Sequence, residues 1–360
     1  MWRNRLVSPN LFNYNVYMMD LWNYLKTTKK PILLYGMGDG ADKIISVLNN
    51  YGIKISGVFA SDGFVRKKIF HGFEVGDYST AKAKFGDMIV LLCFGTSLSE
   101  VIANIKRIAS EQEFYAPDVP VYGNTLFNRE YVQNNMDEFR SIYNILADDI
   151  SRKVFENTVR YKLSGDIKYL FDCESSPDEP FESFLKLNNN ETYFDLGAYR
   201  GDTVADFLSR VNDYSKIVAV EPDIKTFNKL TQATSNIKNI QNINAAVTDK
   251  CGTIEFDMNA SRGSSAKSGD LVTAVSIDSL LKYGVPTFIK MDIEGQELAA
   301  ISGAERTISD HSPKMQIAAY HRSEDFITLP KAVLQINSNY KVYIRHFPCL
   351  PSWDINYYFV

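Results

Sequence analysis

Along this chain, short apolar runs alternate with segments of helical spacing. "PILLYG" (31–36) is an apolar run closed by glycine, and "ADKIISVLNNYG" (41–52) repeats its apolar residues three and four apart before a glycine stop. "KISGVFASD" (54–62) and "DMIVLLCFG" (87–95) read as further strands, and "SLSEVIANIKRIAS" (97–110) as a helix opened by serine. Strands alternating with helices predict a parallel sheet covered on both faces. From Thr125 to Asn190 the pattern changes to a polar, mainly helical one, broken by the two prolines of "CESSPDEP" (173–180). We therefore expect an N-terminal domain over 1–124, a helical connector over 125–190 and a C-terminal domain over 191–360.

The second half alternates again. Candidate strands are "ETYFDLG" (191–197), "KIVAVEP" (216–222), "NIQNINAAV" (239–247), "TIEFDM" (253–258), "TAVSI" (273–277), "TFIKMDI" (287–293), "KMQIAAYH" (314–321), "YKVYIRHF" (340–347) and "INYYFV" (355–360). "IKTFNKLTQATS" (224–235) and "GQELAAISGAERTIS" (295–309) read as helices. Only "PCLPSWD" separates the last two strands, too little for a helical crossover, so this pair should be antiparallel. The expected fold is α/β, with two Rossmann-like domains, the second a doubly wound sheet closing in an antiparallel hairpin.

Composition narrows the partners. A length of 360 residues suits two domains, and a net charge of −4 argues against a nucleic-acid binder that relies on a basic surface. The densest basic cluster, Arg66-Lys67-Lys68, reads as a solvated turn. The four cysteines (Cys93, Cys173, Cys251, Cys349) form no CxxC pair, which excludes a thiolate zinc motif and suits a reducing cytosol. No secretory signal or membrane span is legible, so a soluble cytoplasmic protein is expected, with a homo-oligomer compatible.

The chemistry concentrates in "TYFDLGAYRGDTVADFL" (192–208). An apolar strand ends at Asp195, two glycines follow at Gly197 and Gly201, and an amphipathic stretch begins. In open α/β sheets ligands sit beyond the carboxyl ends of the strands. Gly197 lets the turn tighten, and Gly201 allows close packing at the helix start. One helix and one strand later, "KIVAVEPD" ends at Glu221, placed to bind both ribose hydroxyls of an adenosine. That spacing fits NAD and S-adenosylmethionine alike. Asp202 puts a carboxylate where a pyrophosphate needs bare helix N–H groups, which favours the sulfonium cofactor.

A third segment, "FIKMDIEGQELAAISGAE" (288–305), joins a strand, two acids (Asp292, Glu294), a glycine turn and a helix. With "FDLGAYRGDTV", "VAVEPDIKTFNKL", "NAAVTDKCGTIEF" and "SIDSLL" in this order, the chain resembles the FkbM-type S-adenosylmethionine-dependent methyltransferases over about Glu191 to Phe347. The resemblance implies transfer of the sulfonium methyl group to a hydroxyl oxygen of a sugar or polyketide; a sugar or glycan precursor is our expectation. Carried over by position, Asp195, Gly197, Ala198, Tyr199, Gly201 and Asp202 cradle the methionine end. Glu221 and Pro222 hold the ribose, and Asn244, Ala245 and Ala246 pass beside the adenine. Asp292 and Glu294 face the site of transfer.

Methyl transfer needs an aligned acceptor and a group that removes its proton. The candidates are Asp292, Glu294 and His321 at the end of "KMQIAAYH", the histidine because it titrates near working pH. These three could also take a divalent ion, but the fold accounts for the acids without one, and no metal is assigned. His71, His311 and His346 read as loop or surface residues. The loop "NASRGSSAKSGD" (259–270) offers Arg262 and Lys267 to an anionic acceptor.

"LLYGMGDGADKII" followed by "GVFASD" repeats the punctuation in the first half, with Gly36, Gly38, Gly40 and then Asp62. With "HGFEVGDY" and "DMIVLLCFGTS" it resembles the small Rossmann-like subdomain of bacterial sugar-nucleotide acyltransferases. That resemblance implies a nucleotide-sugar site, with Gly36, Gly38, Gly40 and Asp62 as its residues. Two rivals remain at this point: an NAD-dependent oxidoreductase using the N-terminal glycines, and a non-catalytic binding protein with a methyltransferase fold.

Overall fold

The apolar runs become two main sheets and two small ones. In the first half these are β1 (Ile32–Tyr35), β2 (Gly57–Phe59), the small antiparallel hairpin β3 (Ile69–Phe70) and β4 (Phe73–Glu74), then β5 (Ile89–Leu92) and β6 (Glu113–Tyr115). β2-β1-β5-β6 form one all-parallel sheet. Every residue of β1 and β5 is buried, as expected of strands covered on both faces. Amphipathic helices cover them. Asp39–Asn50 buries Ala41, Ile44 and Leu48, and Ser99–Glu111 buries Ile105 and Ile108. The computed structural model describes residues 19–61, 69–255 and 271–360.

The second half supplies β7 (Thr192–Leu196), β8 (Lys216–Val220), β9 (Ile240–Ile243), β10 (Ala246–Val247), β11 (Gly252–Glu255), β12 (Leu271–Val275), β13 (Phe288–Met291), β14 (Lys314–Ala318), β15 (Val342–His346) and β16 (Ile355–Phe359). Seven of these form a sheet of order β15-β16-β14-β13-β7-β8-β9. All neighbours are parallel except β14/β16 and β15/β16, so the expected closing hairpin is present. From β7 the chain winds outward through β8 and β9, then returns to the other side of β7 as β13 and β14. The crevice between the tips of β7 and β13 is the switch point where such sheets bind ligands.

Several features differ from the sequence expectation. The run 239–247 is two strands, because β10 leaves the main sheet and pairs with β12 and β11 in a sheet of its own. The side chain of Asn244 at the break donates to the carbonyls of Glu221 and Pro222, drawing the chain out of the ladder. The helix expected over 295–309 is divided into Glu297–Ser302 and Glu305–His311. His346 is not a surface residue: it lies in β15, fully buried, and burial pushes its pKa down to about 4.

The segment 125–190 folds into helices Arg129–Asn134, Met136–Ile145, Asp149–Ser164 and Lys168–Phe171. Phe139, Ile142, Val154, Phe155, Val159 and Leu163 share one core with Leu196, Ile289, Ile317 and Phe326 of the C-terminal half. Phe155 stacks on Phe326 with ring centroids 4.6 Å apart. Tyr161, Ile167 and Leu170 instead enter the core of the first sheet beside Leu33, Val90 and Leu92. The helix Asp149–Ser164 therefore belongs to both cores. The buried pair Lys162–Asp118, at 3.0 Å, ties it to the N-terminal half. Among the described residues no helix is long and apolar enough to cross a membrane.

Candidate active site

The tips of β7 and β8 present two carboxylates in different states of satisfaction. Asp195 is fully buried. Its Oδ2 accepts from the Thr203 hydroxyl, while Oδ1 has no hydrogen-bond partner and stands 4.0 Å from Lys290 Nζ. Burial raises its pKa, and Lys290 works against that rise. Glu221 accepts from the Tyr199 N–H at Oε2 (3.0 Å) and from the Asp223 N–H at Oε1 (2.9 Å). The carboxylate is thus fixed by one bond per oxygen, with a second lone pair on each still available. Burial pushes its pKa up to about 7; the two N–H bonds oppose that, and Asp223 and Glu294 add to it.

The connecting turn needs its first glycine. Gly197 has φ +83°, and a Cβ there would lie 1.9 Å from the Asp292 carbonyl oxygen. The turn after β7 is therefore packed directly on the backbone after β13. Gly201 precedes the helix Asp202–Arg210, with Asp202 exposed in its first turn. Tyr199, between the two, has φ +47° and is 43 % exposed. Ala198 and Ala245 are buried and Pro222 is half-buried, so the turn beside β8 is walled by small or rigid residues. Asn244 has its amide nitrogen bound to backbone carbonyls, and Ala246 starts β10 behind it.

On the β13 side, Asp292 meets Lys290 (Oδ2 to Nζ, 3.8 Å), accepts from the Tyr320 hydroxyl at Oδ1 (3.0 Å), and faces His321 Nε2 at 3.4 Å. Burial would raise its pKa, but Lys290 and His321 prevail and hold it below the usual carboxylate range. Glu294 has left-handed backbone, φ +56°, and its Oε2 is also 3.4 Å from His321 Nε2. A non-glycine residue held in that region at a ligand crevice is the kind of strain that functional sites retain.

His321 requires a correction. It is fully buried, with Nδ1 3.0 Å from Glu297 Oε1. Burial alone would lower its pKa, but Glu297, Asp292 and Glu294 together lift it to about 9. Three carboxylates around the ring favour its protonated form, the opposite of the neutral base that the sequence reading expects. Carboxylate neighbours, invisible in the local sequence, reverse its role. Glu297 itself was missed, since it looks like any acid in the first turn of a helix. In the fold it is fully buried and accepts from the Ile293 N–H at 2.9 Å. Lys290 was missed too, although a lysine inside the apolar run "TFIKMDI", two residues from Asp292, was a legible signal.

A segment from the N-terminal half forms the rim. The Tyr122 N–H donates to the His321 carbonyl at 2.8 Å. The Arg322 guanidinium lies 4.1 Å from the Tyr122 ring centroid and donates from Nε to the Gly295 carbonyl at 2.9 Å. Ser323 and Glu324 bond to Thr125.

The N-terminal glycine turn behaves differently. A Cβ on Gly36 would lie 2.6 Å from Phe94 Cδ1, and one on Gly40 would lie 2.3 Å from the Cys93 carbonyl oxygen. Both glycines pack against the end of β5 on the side where a Cβ would point. Gly38 alone faces open space, with φ +102°. A cavity of about 300 Å³ lies nearby at the tips of β1 and β2, lined by Tyr35, Ser61, Asn104 and Arg107 among others. Asp62, Arg262 and Lys267, and the cluster Arg66-Lys67-Lys68, lie outside the described residues.

No curated protein sequence matches the chain. A structure of an FkbM methyltransferase from Methylobacillus flagellatus KT superposes with a TM-score of 0.71 at 22 % identity, covering 92 % of this chain and 90 % of that one. Fibrillarin from Aeropyrum pernix, solved with natively bound S-adenosyl-L-methionine, is 14 % identical with a TM-score of 0.33, covering 48 % of this chain and 67 % of that one. A precorrin-6y C5,15-methyltransferase from Geobacter metallireducens GS-15 is 12 % identical with a TM-score of 0.32, covering 49 % and 81 %. Residues 195–342, which hold Asp195, Glu221, Asp292 and His321, match the profile of the Methyltransferase FkbM domain.

Proposed function

We propose that this chain transfers the methyl group of S-adenosylmethionine to a hydroxyl oxygen of a sugar or glycan precursor. The observation that carries the reading is Glu221. Its two oxygens are held by separate backbone N–H groups, so the remaining lone pairs can accept from the two vicinal hydroxyls of a ribose. The unpartnered, buried Oδ1 of Asp195 fits the cationic amino end of the same molecule, directly or through a water. An orphaned buried carboxylate oxygen is costly unless something completes it.

Bound S-adenosylmethionine would supply an activated methyl group, leaving alignment and proton removal to the protein. Asp292 is engaged by Lys290, Tyr320 and His321. Glu294 is the more exposed carboxylate (40 % of its side chain against 34 %), so we assign it as acceptor of the hydroxyl proton. His321 Nε2 stands 3.4 Å from a carboxylate oxygen of each. Tyr122 and Arg322 give the rim the aromatic and polar character that a carbohydrate needs, which favours a sugar over a polyketide. A nucleotide-sugar would place its nucleotide toward Gly38 and the cavity beneath Tyr35.

The test is incubation with labelled S-adenosylmethionine and a panel of nucleotide-sugars. Label in a sugar hydroxyl, with Glu294→Gln slower by about a hundredfold at unchanged cofactor affinity, supports the assignment. Binding of NAD in place of S-adenosylmethionine would overturn it.

A further inference from the structure

We propose that Asp292, Glu297 and His321 form a binding site for one divalent first-row cation, Mn²⁺ or Zn²⁺ in preference to Mg²⁺. One ligand atom from each of the three lies within 4.8 Å of the other two. Three carboxylates converge on one imidazole. Asp292 Oδ1 and Glu294 Oε2 are each 3.4 Å from Nε2, and Glu297 Oε1 is 3.0 Å from Nδ1. Ligands held ~2.1 Å from one ion stand about 3.0–3.5 Å apart; Asp292 has that spacing from Nε2, while Glu297, whose close contact is to Nδ1, completes the set within the 4.8 Å spread.

Two further observations point into the same place. Neither ring nitrogen of His321 makes a well-aligned hydrogen bond, although the residue is fully buried. Oε2 of Glu297, also fully buried, has no partner either, while its Oε1 is anchored by the Ile293 N–H. A simple buried ion pair would align these groups on one another. Here the donor atoms are brought close without completing one another's bonds, and an entering ion would displace the proton that the carboxylates favour on His321. The mixture of one imidazole and two carboxylates suits Mn²⁺ or Zn²⁺ better than Mg²⁺, which prefers oxygen ligands throughout. Asp292, partly exposed at the crevice, leaves the remaining coordination positions facing the acceptor side, with Glu294 beside them. The ion's role, lowering the pKa of an acceptor hydroxyl, rests on the methyl-transfer reading above; its binding does not.

The experiment is a titration of chelator-treated full-length protein with Mn²⁺ alone, followed by loss of the free-ion electron paramagnetic resonance signal, and with Zn²⁺ by calorimetry. One equivalent should bind, and Glu297→Gln and Asp292→Asn should each weaken it by about ten- to a hundredfold. Should Glu297→Gln fail to fold, Asp292→Asn decides alone, because that side chain is partly exposed. Absence of stoichiometric uptake by the wild type, or equal affinity in the wild type and the folded variants, would overturn the site. Calorimetry with S-adenosylmethionine on the metal-free protein separates the two ideas, since Glu221 and Asp195 lie outside the ion's shell and cofactor binding should persist without it.

Discussion

The two glycine turns of this chain begin alike and end differently. Each follows a fully buried parallel strand. In each, the first glycine N–H donates to the carbonyl of the last residue of the neighbouring strand, Gly36 to Phe59 and Gly197 to Val220. Beyond that, β7 and β8 lead into acids, Asp195 and Glu221, whereas β1 and β2 end in Tyr35 and Phe59, stacked on each other at 4.7 Å. Phe94 then closes over Gly36. Glycine spacing reports only that backbone must pass close to something. What it passes close to, protein or ligand, is decided by the polar groups on the adjacent strand tips.

This contrast can be broken at several points. The largest effect is expected from Gly197→Ala. Its Cβ would collide with a backbone carbonyl that cannot swing away, and φ is already left-handed. We expect a loss above about 4 kcal/mol in denaturant stability, with no measurable cofactor binding by calorimetry. Next is Glu221→Ala, which should weaken S-adenosylmethionine binding by roughly 1–3 kcal/mol, between about five- and a hundredfold, with the fold intact. Wild-type affinity in that variant would remove Glu221 from the site.

A smaller, graded effect should appear with pH. The Glu221 carboxyl, lifted to about 7 by burial and by its neighbours Asp223 and Glu294, must be ionised to accept two hydroxyls. Affinity should therefore be full above pH 8 and fall as pH drops through 7, approaching about tenfold per unit. Glu221→Gln should flatten that profile, and an unchanged slope in the variant would assign the titration to another group. The smallest effect is expected from Gly38→Ala. No atom lies within 4 Å of the added Cβ, so the cost is the strained φ alone, about 1–3 kcal/mol of stability, with cofactor affinity unchanged. Poor methylation of a nucleotide-sugar by that variant, with cofactor binding intact, would tie the N-terminal turn to acceptor selection.

The strands of the main sheet were legible because their apolar runs are long and regularly punctuated, and the eight residues between β15 and β16 dictated their antiparallel pairing. Asp195 and Glu221 were legible because strand-end acids stand out against apolar runs. The division of 239–247 was not, since it depends on Asn244 reaching back to Glu221 and Pro222, a contact across 22 or more residues. The charge state of His321 was not, because it is set by Glu297 and Asp292, distant in sequence and brought together only by the packing of β13 against β14. β6 was missed because its three residues, "EFY", are too short to show a period.

The helix Asp149–Ser164 has a consequence for how the molecule comes apart. Phe155 and Val159 are held by one core, while Tyr161 and the Lys162–Asp118 pair are held by the other. Melting either half would strip one side of this helix of its partners and expose a tyrosine or a phenylalanine to water. The two halves are therefore thermodynamically coupled through a shared element. Scanning calorimetry should register one endotherm, and amide hydrogens of this helix should exchange only through the opening that frees both halves at once.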